Sequence, residues 1–264
     1  ELDNAHKAVI VGAGYIGLEV AAVCRQLGLE VTVVEMAERV MSRVVSPQLS
    51  DFYQAVHEQH GVKLLLSTGV AAFRGDSRID KVECSDGQQL TADFVVIGAG
   101  ILPNTELAEG AGLTVDNGIV VDEHCRTSDP DIFAVGDCTA HPNRIYERQV
   151  RLESVHNALE QAKTAAVNLL DDSVQYSEVP WFWSDQYDLK LQIAGLSQGY
   201  DQTVLRGDPD SASFSCLYLR EGRLIAVDAV NAPRDFVQSK PLIAARSIID
   251  PERLRDEAIQ LKDL

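Results

Sequence analysis

The sequence predicts an α/β chain that opens with a strand–helix–strand unit and closes with a small α+β region. Three observations predict it. A glycine-rich turn, Gly12-Ala13-Gly14-Tyr15-Ile16-Gly17, sits between an apolar run and a segment of helical period. A second glycine turn, at Gly98 and Gly100, ends another apolar run. Beyond about Val174 the pattern changes to two-residue alternation broken by turn residues.

Ala8 to Val11 reads as the first strand. Ile16, Val20, Val23 and Leu27 then place an apolar stripe on a helix that Gly28 stops, and Val31 to Val34 reads as a second strand. The glycines therefore lie in a βαβ unit, where each has a physical task. Gly12 permits the tight turn, Gly14 lets backbone approach a pyrophosphate, and Gly17 lets helix and strand pack closely. The helix N-terminus offers N–H groups and positive dipole potential to that anion. Glu35 follows Gly17 by 18 residues, where a carboxylate can accept adenosine ribose hydroxyls. Together these predict a Rossmann-like dinucleotide site.

Ser46-Pro47 opens a helix running to about His60 and closed by Gly61, followed by a third strand at Val62 to Leu66. Val70 to Glu83 and Gln88 to Thr91, around Asp86-Gly87, predict a small antiparallel extension. The run "DFVVIGAG" predicts a buried strand, with Gly98 and Gly100 as a second close approach to the nucleotide, and a short helix follows near Thr105.

Asn117-Gly118 marks a hairpin turn, Ile119 to Asp122 a strand, and Ile132 to Val135 a buried strand ending in Gly136-Asp137. A carboxylate placed there faces hydroxyl groups beyond the sheet's carboxyl edge. Ser154 caps a helix whose apolar stripe is Val155, Ala158, Leu159, Ala162, Ala166 and Leu169. Leu189, Leu191 and Ile193 alternate, and Phe214 to Leu219 and Leu224 to Val230 flank Glu221-Gly222, which predicts an antiparallel meander. Pro233 to Ile249 is helical with an interruption at Pro241.

Composition narrows the function classes. A net charge of −17 argues against nucleic acid and anionic membrane surfaces as partners. The longest apolar run, Phe94 to Leu102, is far too short to span a bilayer. The opening "ELDNAHK" lacks signal-peptide character and reads as a cut within a longer chain. Five scattered cysteines form no C-x-x-C, so neither a metal site nor a local redox disulfide is expected, and a reducing, cytoplasmic compartment is.

The segments "GAGYIGLEVA", "VVIGAGILPNTELA", "TSDPDIFAVGDC", "RLESVHNALEQA" and "PWFWSDQY", in this order, resemble the flavin-dependent pyridine nucleotide oxidoreductases. Within them the likeness is to NADH-dependent ferredoxin reductases of the putidaredoxin and rubredoxin reductase type. The resemblance implies an NAD domain at 1–101, the returning part of an FAD domain at 102–174, and a C-terminal reductase domain at 175–264. The FAD-binding segment with which that family begins, bearing its own GxGxxG, is not in this sequence. The implied cofactors are NAD and FAD, and the implied partner is a ferredoxin or rubredoxin-type electron acceptor protein. Gly12, Gly14, Tyr15, Ile16, Gly17 and Glu35 would hold NADH, with Gly98 and Gly100 on its nicotinamide side. Gly136 and Asp137 would meet the FAD ribityl or pyrophosphate region. The helix start at Ser154 and Val155 would face the flavin pyrimidine, Trp183 would pack near the isoalloxazine, and Glu19 would sit by the nicotinamide as the catalytic-site acid. Two other functions fit the same residues: reduction of a different acceptor (quinone, nitrite or oxygen), and a redox-inactive nucleotide-binding module.

Overall fold

The computed structural model describes residues 4–170 and 173–264. Part of the opening "ELDNAHK" stretch therefore lies outside the described residues. Along the first hundred residues run β1 (Lys7–Val11), α1 (Tyr15–Gln26), β2 (Glu30–Val34), α2 (Pro47–Gln59), β3 (Lys63–Leu65), β4 (Val70–Arg74), β5 (Lys81–Cys84), β6 (Gln89–Thr91) and β7 (Phe94–Ile97). The branched, apolar residues of β1 and β2 make them strands for the centre of a sheet, and Val9, Ile10, Val33 and Val34 are buried. The sheet order is β3-β2-β1-β7, with every pairing parallel. β1 thus lies between its successor β2 and the distant β7, so the carboxyl ends open a crevice at the glycine turn. β4, β5 and β6 form the small antiparallel extension. α2 begins as its sequence requires: Ser46 Oγ accepts the Leu49 amide and Pro47 occupies the first turn.

Farther along come α3 (Glu106–Gly110), β8 (Ile119–Val120), β9 (Thr139–Asn143), β10 (Arg148–Arg151) and α4 (Val155–Asn168). They precede β11 (Trp181–Gln186), β12 (Leu189–Gly195), β13 (Gln202–Asp208), β14 (Ser213–Arg220), β15 (Arg223–Val230), α5 (Pro233–Ala244) and α6 (Pro251–Arg255). β11 to β15 form one sheet in the order β11-β12-β15-β14-β13. The chain divides into two compact units: residues 1–100 with 184–191 and 208–216, and residues 101–183 with 192–207 and 217–264. The main core of the second is built from Leu217, Leu219, Leu224, Val227, Phe236 and Ile243, with Leu254 and Leu261 from the C-terminal stretch.

Five expectations from pattern are corrected. On α1 the predicted stripe is not the buried face: Ile16 is 63% exposed, Val23 and Leu27 are exposed too, and Gly17, Leu18, Ala21, Ala22 and Cys24 are buried. The sheet's own branched side chains fill the layer between them, so the helix docks by its small residues. β7 is only half-buried and its Ile97 is exposed. Ile132 to Val135 does not form a strand. It pairs with residues 125–127 only through the antiparallel bridge from Arg126 to Phe133, where Thr127 N–H donates to the Ile132 carbonyl and Ala134 N–H to the Cys125 carbonyl, and a single bridge makes no ladder. Pro241 does not interrupt α5, which continues to Ala244, where Ala245 N–H donates to the Pro241 carbonyl. Phe236, Ser239 and Ile243, all buried, hold that helix despite the rung that proline removes.

The fifth correction matters most for function. α4 buries Asn157, Gln161, Thr164, Ala165 and Asn168, and exposes the predicted apolar stripe, including Val155, Leu159 and Leu169. The polar face is inside because it is satisfied there. Gln161 Oε1 accepts from the Gly136 amide at 2.7 Å and from Thr139 Oγ1 at 3.0 Å, and Gln161 Nε2 pairs with His141 Nδ1 at 3.0 Å. Asn157 Oδ1 accepts from the Tyr176 hydroxyl at 2.9 Å. Buried polar groups are tolerated when paired.

Candidate functional site

The first cluster is the turn between β1 and α1. Gly12 has φ +102°, and a Cβ there would stand 2.4 Å from the Gly98 carbonyl oxygen, so both conformation and space demand glycine. At Gly17 a Cβ would lie 2.0 Å from the Gly12 oxygen. Gly14 differs. It is the N-cap of α1, with φ −77°, and a Cβ there would meet nothing within 4 Å. Open space above a helix N-terminus is what an incoming pyrophosphate requires, so the residues fit the phosphates of a dinucleotide. Tyr15 and Ile16 form the start of that helix, and Ile16 projects to solvent.

Glu35 stands at the end of β2. Its Oε2 accepts the Ala13 amide at 2.6 Å and its Oε1 the Ala37 amide at 2.8 Å. The carboxylate therefore braces the glycine turn, and each oxygen keeps acceptor capacity for a hydroxyl group. Arg39, one of the two arginines that follow β2, is engaged within its own loop: it donates to the carbonyls of Val45 at 3.0 Å and Ser42 at 2.7 Å and to Ser50 Oγ at 2.5 Å. Gly98 and Gly100 lie on the turn after β7; Gly98 N–H donates to the Val11 carbonyl at 2.8 Å, and Gly100 has φ +105°. Glu19, half-buried on the first turns of α1, accepts a hydrogen bond from Ser184 Oγ at 2.6 Å. The seven glycine-turn and acid residues of this unit are thus gathered at one carboxyl edge of the parallel sheet.

The second cluster lies in the other unit. Asp137, Glu153, Ser154, Val155, Ala158 and Leu159 line an open cavity of about 490 Å³. Asp137 is exposed at the turn whose Gly136 (φ +89°) is held by Gln161, and Arg151 donates to the Asp137 carbonyl at 3.2 Å. Ser154 caps α4 by accepting the Asn157 amide at 3.2 Å. The cavity wall is apolar along Val155 (57% exposed) and Leu159 (56%), while its rim carries a helix N-terminus. A flat aromatic group with a polar edge fits such a surface: the ring covers the aliphatic wall, and the dipole meets developing negative charge. Burial keeps His141, beneath the helix, neutral by pushing its pKa down to about 4. Trp183 on β11 is 46% exposed, so it is not a core aromatic; it neighbours Trp181 at 5.7 Å, and Trp181 neighbours His156 of α4 at 5.2 Å.

Several participants escaped the sequence reading. Ala13 and Ala37 act through backbone amides and carry no side-chain signal. Leu159 reaches the cavity only because α4 turns its apolar face outward, and Glu153 lines it from just before the Ser154 cap. Ser184 and Gln186 had a usable signal: polar residues two apart on the inward face of an alternating strand. Among the described residues, no three His, Cys, Asp or Glu gather as a metal site, and no helix is long and apolar enough to cross a membrane.

Comparison with known proteins bears on both clusters. Residues 1–162 match the model for pyridine nucleotide-disulphide oxidoreductases, and residues 181–264 match a reductase C-terminal model. The ferredoxin reductase subunit of 5,5'-dehydrodivanillate O-demethylase from Sphingobium sp. is 46% identical, matching 100% of this chain and 65% of its own. Putidaredoxin reductase from Pseudomonas putida is 45% identical over 98% of this chain and 62% of its own. Among solved structures, the ferredoxin reductase for the CYP199A2 system from Rhodopseudomonas palustris superposes with TM-score 0.95 at 41% identity, covering 99% of this chain and 65% of that one. The covalent putidaredoxin reductase–putidaredoxin complex gives 0.94 at 46% identity, covering 98% and 63%. The chain spans a little under two thirds of the length of these relatives. With the glycine turn, the parallel sheet and a C-terminal reductase region matched over most of its residues, the chain belongs to the pyridine nucleotide-disulphide oxidoreductase family.

Proposed function

We propose that this chain belongs to a flavoprotein that passes electrons from NADH through FAD to a ferredoxin or rubredoxin-type iron–sulfur protein. The observation that carries the proposal is the inverted helix α4, whose apolar stripe and capped N-terminus face an open cavity beside Asp137. An exposed apolar wall under a helix dipole suits a flavin ring better than it suits water. Relatives named as ferredoxin reductases support the acceptor class.

In this reading Gly12, Gly14, Tyr15, Ile16, Gly17 and Glu35 bind NADH, and Gly98 and Gly100 line its nicotinamide end. Glu19 stands beside that ring. Gly136 and Asp137 hold the polar chain of FAD, Ser154 and Val155 face its pyrimidine, and Trp183 covers the ring system. When bound, FAD supplies the exchange between a two-electron hydride and single electrons. The protein's share is orientation, exclusion of water by Val155 and Leu159, and electrostatics from the α4 terminus. The segments 1–101, 102–174 and 175–264 would serve NAD, FAD and the acceptor respectively. The buried thiols of Cys24, Cys84 and Cys125 suit a reducing, cytoplasmic setting.

The test is acceptor choice in the complete protein loaded with FAD. NADH should reduce a [2Fe–2S] ferredoxin at least ~10-fold faster than quinone, nitrite or oxygen, on the transition-state scale where each tenfold is 1.36 kcal/mol. Faster reduction of one of those acceptors assigns the protein to another branch, and a complete protein that takes up no flavin is only a nucleotide-binding module.

A further inference from the structure

Glu19 ends a buried chain of hydrogen bonds that runs in one direction. Ser184 Oγ donates to Glu19 Oε1 at 2.6 Å, and Gln186 Nε2 donates to Ser184 Oγ at 3.1 Å. Gln186 Oε1 can only accept, which makes His57 Nε2–H its donor at 2.9 Å. His57 then accepts at Nδ1 from the Tyr187 hydroxyl at 3.2 Å. All four donors point toward the carboxylate. Ser184, Gln186 and His57 are fully buried, and burial lowers the His57 pKa, in keeping with the neutral tautomer this pairing requires. At the outer end Tyr187, with φ 58°, stacks on His60 at a centroid distance of 3.7 Å.

Aligned dipoles ending on a carboxylate fix its rotamer, because rotation would strand a buried hydroxyl without its acceptor. The position so fixed is informative. Gly98 backs onto the first turn of α1, since a Cβ there would lie 3.5 Å from Gly17 N. A dinucleotide with its pyrophosphate over Gly14 and its adenosine ribose toward Glu35, beyond β2, must send its nicotinamide the other way, over β1 and β7. That path runs past the turn that carries Glu19.

We propose that Ser184, backed by Gln186 and His57, is a positioning residue that holds Glu19 as a fixed anion beside the nicotinamide. The site then favours the cationic ring of NAD+ over the neutral ring of NADH. This inference rests on the nucleotide reading given under Proposed function. Nothing in it depends on the flavin or on the acceptor.

Calorimetric titration of NAD+, NADH and ADP-ribose into this chain tests it. Four variants are needed: Ser184→Ala, Ser184→Thr, Glu19→Gln, and the double variant S184A/E19Q. ADP-ribose has no nicotinamide, so its unchanged affinity certifies that each variant is folded at the nucleotide turn. In Ser184→Ala the ratio of Kd(NADH) to Kd(NAD+) should fall about fivefold, the size expected of a half-exposed charge interaction. Ser184→Thr, which keeps the hydroxyl, should restore the ratio. In the Glu19→Gln background Ser184→Ala should change nothing further, because its effect acts through the carboxylate. A Ser184→Ala ratio equal to the parent's, or an effect that persists undiminished in Glu19→Gln, overturns the positioning role. A parent chain that binds no ADP-ribose overturns the nucleotide reading instead.

Discussion

Replacing Gly14 by alanine separates what the glycine turn does for the fold from what it does for the ligand. The φ of −77° and ψ of −176° at Gly14 are open to alanine, and the new methyl group meets nothing within 4 Å. Alanine restricts the unfolded chain but is a poorer N-cap than glycine, and these two effects oppose each other at about 1 kcal/mol or less. Net stability should stay within ~1 kcal/mol, a Tm change of at most ~4 °C for a chain of this size. The methyl group would occupy the space through which a pyrophosphate approaches the α1 amides. Losing one charge-assisted hydrogen bond there, worth about 1.5–3 kcal/mol, weakens NADH about 10- to 150-fold. Gly17→Ala is the contrasting change. Its methyl group would sit 2.0 Å from the Gly12 oxygen, so helix and turn must separate. Overpacking of that kind costs about 1–3 kcal/mol, and both Tm and NADH affinity should fall. The assay is differential scanning calorimetry with NADH titration on both variants. A Gly14→Ala chain that binds NADH within threefold of the parent would refute the placement of the pyrophosphate.

Further outcomes follow from other contacts. NADH should bind at least ~10-fold more tightly than NADPH, because a 2′-phosphate would meet the Glu35 carboxylate while Arg39 is held by Ser42, Val45 and Ser50; parallel titrations check it, and equal affinities would contradict it. Arg206 is buried and donates to Asp235 and to the carbonyls of Leu254, Asp256 and Ile259, so Arg206→Met should destabilise by ~3–5 kcal/mol in urea unfolding. Burial raises the Asp228 carboxyl from 3.8 to about 7, with Tyr218 donating to it. A folded-state pKa above the unfolded one gives stability that is full below the unfolded value and lost as pH rises through the folded value. Unfolding free energy should therefore fall between about pH 4 and pH 7, and Asp228→Asn should flatten that segment of the pH profile. In the complete protein, Trp183→Ala should leave Tm nearly unchanged, since the side chain is half exposed, yet shift the flavin absorbance and slow its reduction by NADH; an unaltered flavin spectrum would remove Trp183 from the site.

Local chemistry made much of this protein legible before its tertiary structure. The βαβ unit, the Ser46 and Ser154 caps, the Glu221-Gly222 hairpin and the alternation of Leu189, Leu191 and Ile193 each depend on residues within a few positions of one another. Their glycine conformations, caps and side-chain periods are consequences of covalent geometry, so the sequence determined them alone. The family likeness was readable for a related reason, because it rests on ordered motifs rather than on packing. What tertiary structure alone decided is which face of an amphipathic element goes inside. On α1 the small face is buried, since β1 and β2 already fill the layer with branched side chains. On α4 the polar face is buried, since Gly136, Thr139, His141 and Tyr176 arrive from distant positions to satisfy Asn157 and Gln161. The hydrogen bond from Ser184 to Glu19 joins residues 165 positions apart. Periodicity reports how apolar a face is, and burial depends on whether the neighbours that fold brings there can pair with it.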